Sequence, residues 1–146
     1  MSIPGQLAPN DPRPVFMVFG AHWCEPCHRI TEDAAEQLGD DAMIVFVHLD
    51  DVDIGMGLGN DEIQEAVEDM VATLPEGVTV LTRGRITLFS YLTGLELGDD
   101  IQAALPVALM ILPDGTIYGR ITTYDADLVH DQLAGYQAAI ASSAAP

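Results

Sequence analysis

Lysine is absent from this sequence, and five arginines stand against 23 acidic side chains, for a formal net charge of −18. A surface that negative repels phosphate backbones and anionic membrane faces, so no nucleic-acid partner is expected. No uncharged apolar run approaches the ~18 residues of a membrane span, and no basic stretch followed by an apolar segment opens the chain. As written the chain reads as cytoplasmic; an extracytoplasmic place would require a trimmed export or anchor segment upstream. Only two cysteines occur, three positions apart, which excludes a framework of structural disulfides and points to redox chemistry or metal. No internal repeat is present.

What is there is apolar and organised. The 146 residues are 49% hydrophobic, enough for one ordinary core, and a single-domain monomer is expected. Acidity of this order accompanies disorder when apolar runs are lacking, but Met43 to Leu49 and Val107 to Leu112 have the composition of buried strands. The charge then belongs to a solvated surface, with adaptation to salt or a basic partner as the rival accounts.

Pro4, Pro9, Pro12 and Pro14 fix φ and remove backbone donors, so 1–14 reads as an extended lead-in. One domain follows over 15–141, with a tail at 142–146. Val15 to Phe19 forms a strand that Gly20 ends, and the segment after Cys24 has helical composition to Leu38, with Gly39 as its stop. Met43 to Leu49 is the second strand, ending in Asp50, Asp51 and Asp53. Asn60 or Asp61 caps a helix whose apolar positions are Ile63, Val67, Met70, Val71 and Leu74. Between Val78 and Leu97 the pattern is ambiguous, although Ile86, Phe89, Leu92 and Leu95 would share a helical face. A short helical turn is expected around Ile101 to Ala104.

Val107 to Leu112 and Ile117 to Ile121, joined by a Pro-Asp-Gly turn, predict an antiparallel hairpin. Asp125 caps a last helix carrying Leu128, Val129, Leu133, Tyr136 and Ile140. This order of elements predicts an α/β fold, a mixed central sheet of about four strands flanked by helices.

Cys24 stands where a strand runs into a helix, beside unpaired N–H groups and a partial positive charge that stabilise an anion. A thiol there has its pKa lowered from about 8.5 into the range ~3.5–7.5, which makes Cys24 the nucleophile. Cys27, one helical turn on, is placed to attack the mixed disulfide that Cys24 forms with a substrate. Pro26 suits the first helical turn and stiffens the ring between the sulfurs. Around the pair, Glu25 would raise the Cys24 pKa, while protonated His22 and His28 would lower it.

The segment Val15 to His28, with Phe19, Ala21 and Trp23-Cys24-Glu25-Pro26-Cys27, resembles the active-site segment of the thioredoxin-like family. Its Glu-Pro dipeptide is similar to that of TlpA-like and ResA-like thiol reductases. The resemblance covers roughly 15–49 and 101–140. It implies a thioredoxin-like fold in which Pro106 is a cis-proline beside the active site, preceded by a helical insertion at about 51–98. It further implies that Leu105 pairs through its backbone with an incoming substrate strand, that Trp23 covers the sulfurs, and that no cofactor is needed. Protein disulfide substrates and an upstream electron donor such as a thioredoxin reductase are the partners it implies, most readily with the chain acting as a reductase. The family's buried acid, six residues before the first cysteine, is replaced by Val18. His48 and Asp50, at the end of the neighbouring strand, are the substitutes for proton transfer, although a polar residue at a strand end is ordinarily solvated.

Rival readings exist. Cys24-Glu25-Pro26-Cys27-His28 also fits c-type haem attachment, which gives no reason for Trp23 or Pro106. Zinc or copper held by Cys24, Cys27 and His22 or His28 lacks a second ligand pair nearby in sequence, so no metal is expected. Asp51, Asp53 and Glu62 only faintly match a calcium loop, having Met56 where glycine belongs. The main alternative to turnover is a binding or adaptor module that uses the cysteine pair as a redox switch.

Overall fold

The computed structural model describes residues 14–49, 57–81, 106–114 and 116–144. Strand β1 (Val15–Gly20) leads through a tight turn into helix α1 (Glu25–Leu38). The helix buries Cys27, Ile30, Thr31, Ala34 and Leu38, the three-to-four spacing of a single face. Gly39 closes it at φ 55°, a left-handed conformation that suits glycine. Strand β2 (Met43–His48) follows and pairs in parallel with β1 from Val15–Met43 to Gly20–His48. All six residues of β1 are buried, so both of its faces are covered, which explains its continuous apolar run.

Helix α2 (Asn60–Thr73) buries Ile63, Val67 and Met70, but Val71, assigned to the same stripe from sequence, is 46% exposed. Its cap is Gly59 rather than Asn60 or Asp61. Glu62 reaches back so that its Oε1 accepts the Gly59 N–H at 3.4 Å. Strand β3 (Thr79–Leu81) then adds to β2 in parallel. It makes the sheet five-stranded where about four strands were expected, in the order β3-β2-β1-β4-β5. Three residues with an exposed or half-buried pattern are too few to show a period of two. The helix proposed over Ile86 to Leu95, the turn near Ile101, and Asp50, Asp51 and Asp53 lie outside the described residues.

The predicted hairpin is present as β4 (Val107–Ile111) and β5 (Ile117–Ile121), antiparallel, with β4 also antiparallel to β1. In its turn Asp114 accepts the Thr116 N–H at 2.9 Å. Helix α3 (Ala126–Ala144) is capped by Asp125, whose Oδ1 accepts the Leu128 N–H at 3.1 Å. It buries Val129, Leu133 and Tyr136 and leaves Leu128 45% exposed. It runs past 141, so Ser142 is helical rather than part of a tail.

The Tyr136 hydroxyl donates to the Ile111 carbonyl at 2.6 Å and lies 3.1 Å from that of Val15, tying α3 to two neighbouring strands. Gln137 of α3 donates to the Gln37 carbonyl of α1, and Tyr124, just before α3, donates to Asp33 of α1, each at 2.8 Å. No helix among the described residues is long and apolar enough to cross a membrane.

Candidate active site

Cys24 is the N-cap of α1. Its backbone is extended and its sulfur accepts the Cys27 N–H at 3.3 Å, so one of the unpaired donors of the helix start already points at that sulfur. Cys24 and Cys27 are joined as a disulfide, with Cα atoms 5.3 Å apart. Cys24 is 4% exposed and Cys27 is fully buried, so both sulfurs lie within the folded chain in the oxidised state. Glu25 and Pro26 are exposed in the first turn. The Glu25 carboxylate receives Nε and Nη2 of Arg29 at 3.0 and 2.8 Å, so its negative charge beside Cys24 is largely paired.

Gly20 sets how closely the strand approaches the sulfurs. A Cβ at this position would stand 2.9 Å from both Cβ and Sγ of Cys27 and 2.8 Å from the Phe46 ring, inside contact distance. The absent side chain is therefore the space that the disulfide occupies, a role for Gly20 beyond ending a strand. The Cys27 sulfur lies 3.8 Å from the Phe19 carbonyl, toward which a reduced thiol would point. Thr31, fully buried, donates to the Cys27 carbonyl at 2.8 Å and holds that turn of α1. Neither Gly20 nor Thr31 was singled out from sequence. The legible signals were a glycine closing the strand before the motif and a threonine four residues after Cys27.

The histidines gather here. His22 Nδ1 and His48 Nε2 are 3.3 Å apart and the rings stack, with centroids separated by 5.6 Å. His48, expected at a solvated strand end, is instead fully buried: β2 carries it inward beside Gly20, where α1 covers the sheet. His28 Nε2 is 3.3 Å from the Ala21 carbonyl and its ring meets Phe46 edge-on. Partial burial pushes the His28 pKa down, against the Ala21 hydrogen bond and the charge of Glu32, which raise it. A lowered pKa works against His28 supplying the positive charge toward Cys24 that the sequence suggested.

Trp23 is half-buried and packs on the core. Pro106 is buried and directly precedes β4. The β1–β4 register ends at Phe19–Val107, which puts Pro106 one step further on, level with Gly20. Leu105 lies outside the described residues. Among the described residues no group of three or more histidine, cysteine or acidic side chains is arranged to hold a metal ion.

By sequence, no protein-family model and no curated protein matches the chain. By structure it is similar to a Chlorobium tepidum protein assigned to DsbE, a thiol:disulfide interchange protein. The TM-score is 0.63 and the identity 17%, over 92% of this chain and 84% of that one. The fold is thioredoxin-like. BsSco, a member of the Sco family of cytochrome c oxidase assembly proteins in which a disulfide switch was identified, shares it at TM-score 0.62 and 14% identity. That match covers 89% of this chain and 81% of the other. StoA from Bacillus subtilis shares it at 0.55 and 16%, over 88% and 85% of the two chains. Within this thioredoxin-like frame the cysteine pair caps the helix that follows the first described strand. Val18 stands fully buried where ordinary thioredoxins carry an acid.

Proposed function

We propose that the chain is a thiol-disulfide oxidoreductase that exchanges disulfides with protein substrates and works as a reductase. The observation that carries this is the Cys24–Cys27 disulfide at the N-terminus of α1, with the Cys27 N–H directed at the Cys24 sulfur. Electron density left on Cys24 by ring opening falls where a backbone donor and the helix dipole stabilise it, so Cys24 is the nucleophile and Cys27 the resolving thiol. Buried Pro106, level with Gly20, serves with Leu105 as the docking corner for a substrate strand, and half-buried Trp23 shields the sulfurs. The names of the DsbE-assigned protein and other structural neighbours support the reaction class. An upstream electron donor, of the thioredoxin reductase kind, returns the pair to dithiol.

The test is the reduction potential of the pair, taken by equilibrating the protein with defined dithiothreitol or glutathione ratios and following Trp23 fluorescence. A reversible two-electron couple near about −270 mV is expected of a reductase, whereas a value near about −120 mV would make the chain an oxidant. The absence of a reversible couple would overturn the reading. Cys24→Ser is expected to abolish reduction of a protein disulfide. A second reading, an adaptor with a switch pair, is favoured by the 4% exposure of Cys24 and by the likeness to BsSco. A stable partner that survives conversion of both cysteines to serine, without disulfide turnover, would select it.

A further inference from the structure

The resolving half of the exchange requires a base. With Val18 in the acid's place the β1 strand supplies none, and Cys27 is too deeply buried to lose its proton directly to water. Besides Tyr136, whose hydroxyl is engaged with β1 and β4 carbonyls, two polar side chains are fully buried among the described residues, Thr31 and His48. The Thr31 hydroxyl is committed to the Cys27 carbonyl. His48 is the one with a ring nitrogen that can accept a proton.

Its position follows from the register. Gly20 and His48 are paired across parallel strands, so their Cα atoms are neighbours at about 4.8 Å and their side-chain directions share a face. That face is the one on which the Cys27 sulfur stands 2.9 Å from where a Gly20 Cβ would be. His48 therefore leaves the sheet on the face that carries the Cys27 sulfur, and its Nε2 meets Nδ1 of His22, which is partly exposed.

We infer that His48 accepts the Cys27 proton and that His22 passes it to solvent, a histidine relay standing in for the missing carboxylate. The inference rests on the exchange reading above. In the step, the Cys27 S–H bond breaks and its proton enters the His48–His22 pair. The electron pair left on Sγ attacks the Cys24 sulfur of the mixed disulfide. The Cys24–Cys27 bond forms, the Cys24–substrate bond breaks, and the substrate leaves as a thiolate that takes a proton from water. Two protein thiols are oxidised and one substrate disulfide is reduced. His48 acts on a reacting atom; His22 acts through His48.

Among the described residues, few groups are able to bias this pair. β2 packs against β1, β3 and α1. β1 and β3 carry no charged or titratable side chain, and β2 carries only His48. α1 carries Cys27, His28, Glu25, Arg29, Glu32, Asp33 and Glu36, with Cys24 at its cap, and Arg29 is paired with Glu25. Glu25, Glu32 and His22 all act electrostatically on His28.

The experiment mixes the reduced full-length chain with dithiobis(nitrobenzoate) in stopped flow. The first coloured thiolate reports attack by Cys24 and the second reports ring closure by Cys27. His48→Gln is expected to leave the first phase intact and to slow the second by about a hundredfold at neutral pH. The slowed phase should recover only as pH approaches the ordinary thiol pKa of about 8.5. His22→Gln should slow the same phase less and shift its pH profile the same way. A second phase in His48→Gln with wild-type rate and pH profile overturns the relay and leaves the exchange reading standing. If His48→Gln fails to fold, a wild-type second phase in His22→Gln overturns it instead. A wild-type chain that releases no second equivalent and forms no Cys24–Cys27 bond overturns both readings.

Discussion

At Gly20 a single missing side chain connects the backbone of β1 to the Cys24–Cys27 disulfide. Gly20→Ala drives a methyl group against Cβ and Sγ of Cys27 and against Phe46, and neither the strand nor the start of α1 yields easily. A loss of about 1–3 kcal/mol in the oxidised protein is expected from such overpacking, read by urea unfolding. His28 offers a second residue-scale prediction. Its pKa is lowered in the folded chain, chiefly by burial, so the unfolded chain binds the proton first as pH falls. The stability that neutral His28 allows is complete above its ordinary value of about 6.5 and is lost as pH falls through the depressed one. The difference between the wild type and His28→Gln should therefore widen in favour of the glutamine variant across that window, measured by denaturant midpoints. The pairing of Cys24 with Cys27 and the place of Pro26 in the first helical turn were legible because both depend on spacing along one turn of helix. The burial of His48 was not, because a strand end looks the same in sequence whether or not a helix covers it.

The elements divide by how local their causes are. Helix α3 is announced by Asp125, which accepts the N–H three residues on, and Asp125→Ala is expected to cost about 1 kcal/mol in thermal or denaturant unfolding. Its docking depends instead on Tyr136, which is fully buried and serves carbonyls on β1 and β4. Tyr136→Phe keeps the ring against Phe16 and removes the donor, leaving the buried Ile111 carbonyl short of it. About 1–3 kcal/mol should be lost, with little change in far-ultraviolet circular dichroism. The hairpin of β4 and β5 was predictable from its turn, and α1 from its stripe. β3 was not, since three residues hold their place only through the ladder to β2. Val71 and Leu128 fit their helical stripes in sequence and are nonetheless exposed, because the apolar face of a helix is covered only where a neighbour reaches it.

For the whole molecule the dominant fact is a charge of −18 with no lysine to offset it. Self-repulsion of that surface opposes compaction and is screened over about 10 Å at 0.1 M salt. The melting temperature is expected to rise with sodium chloride from low to molar concentration, and a melting temperature indifferent to salt would show that the acids are spaced widely enough not to matter. The sequence by itself determined the α/β class, the hairpin, the cysteine spacing that lets Cys24 and Cys27 join, and the lack of a cationic surface. These are matters of composition, periodicity and short spacing, each written within a few residues. Only the tertiary structure decided that Gly20 makes room for Cys27, that His48 is buried against His22, and that Pro106 comes level with both. Those contacts join segments far apart in the chain, and the strand register that aligns them is set by burial of the whole sheet rather than by any one segment.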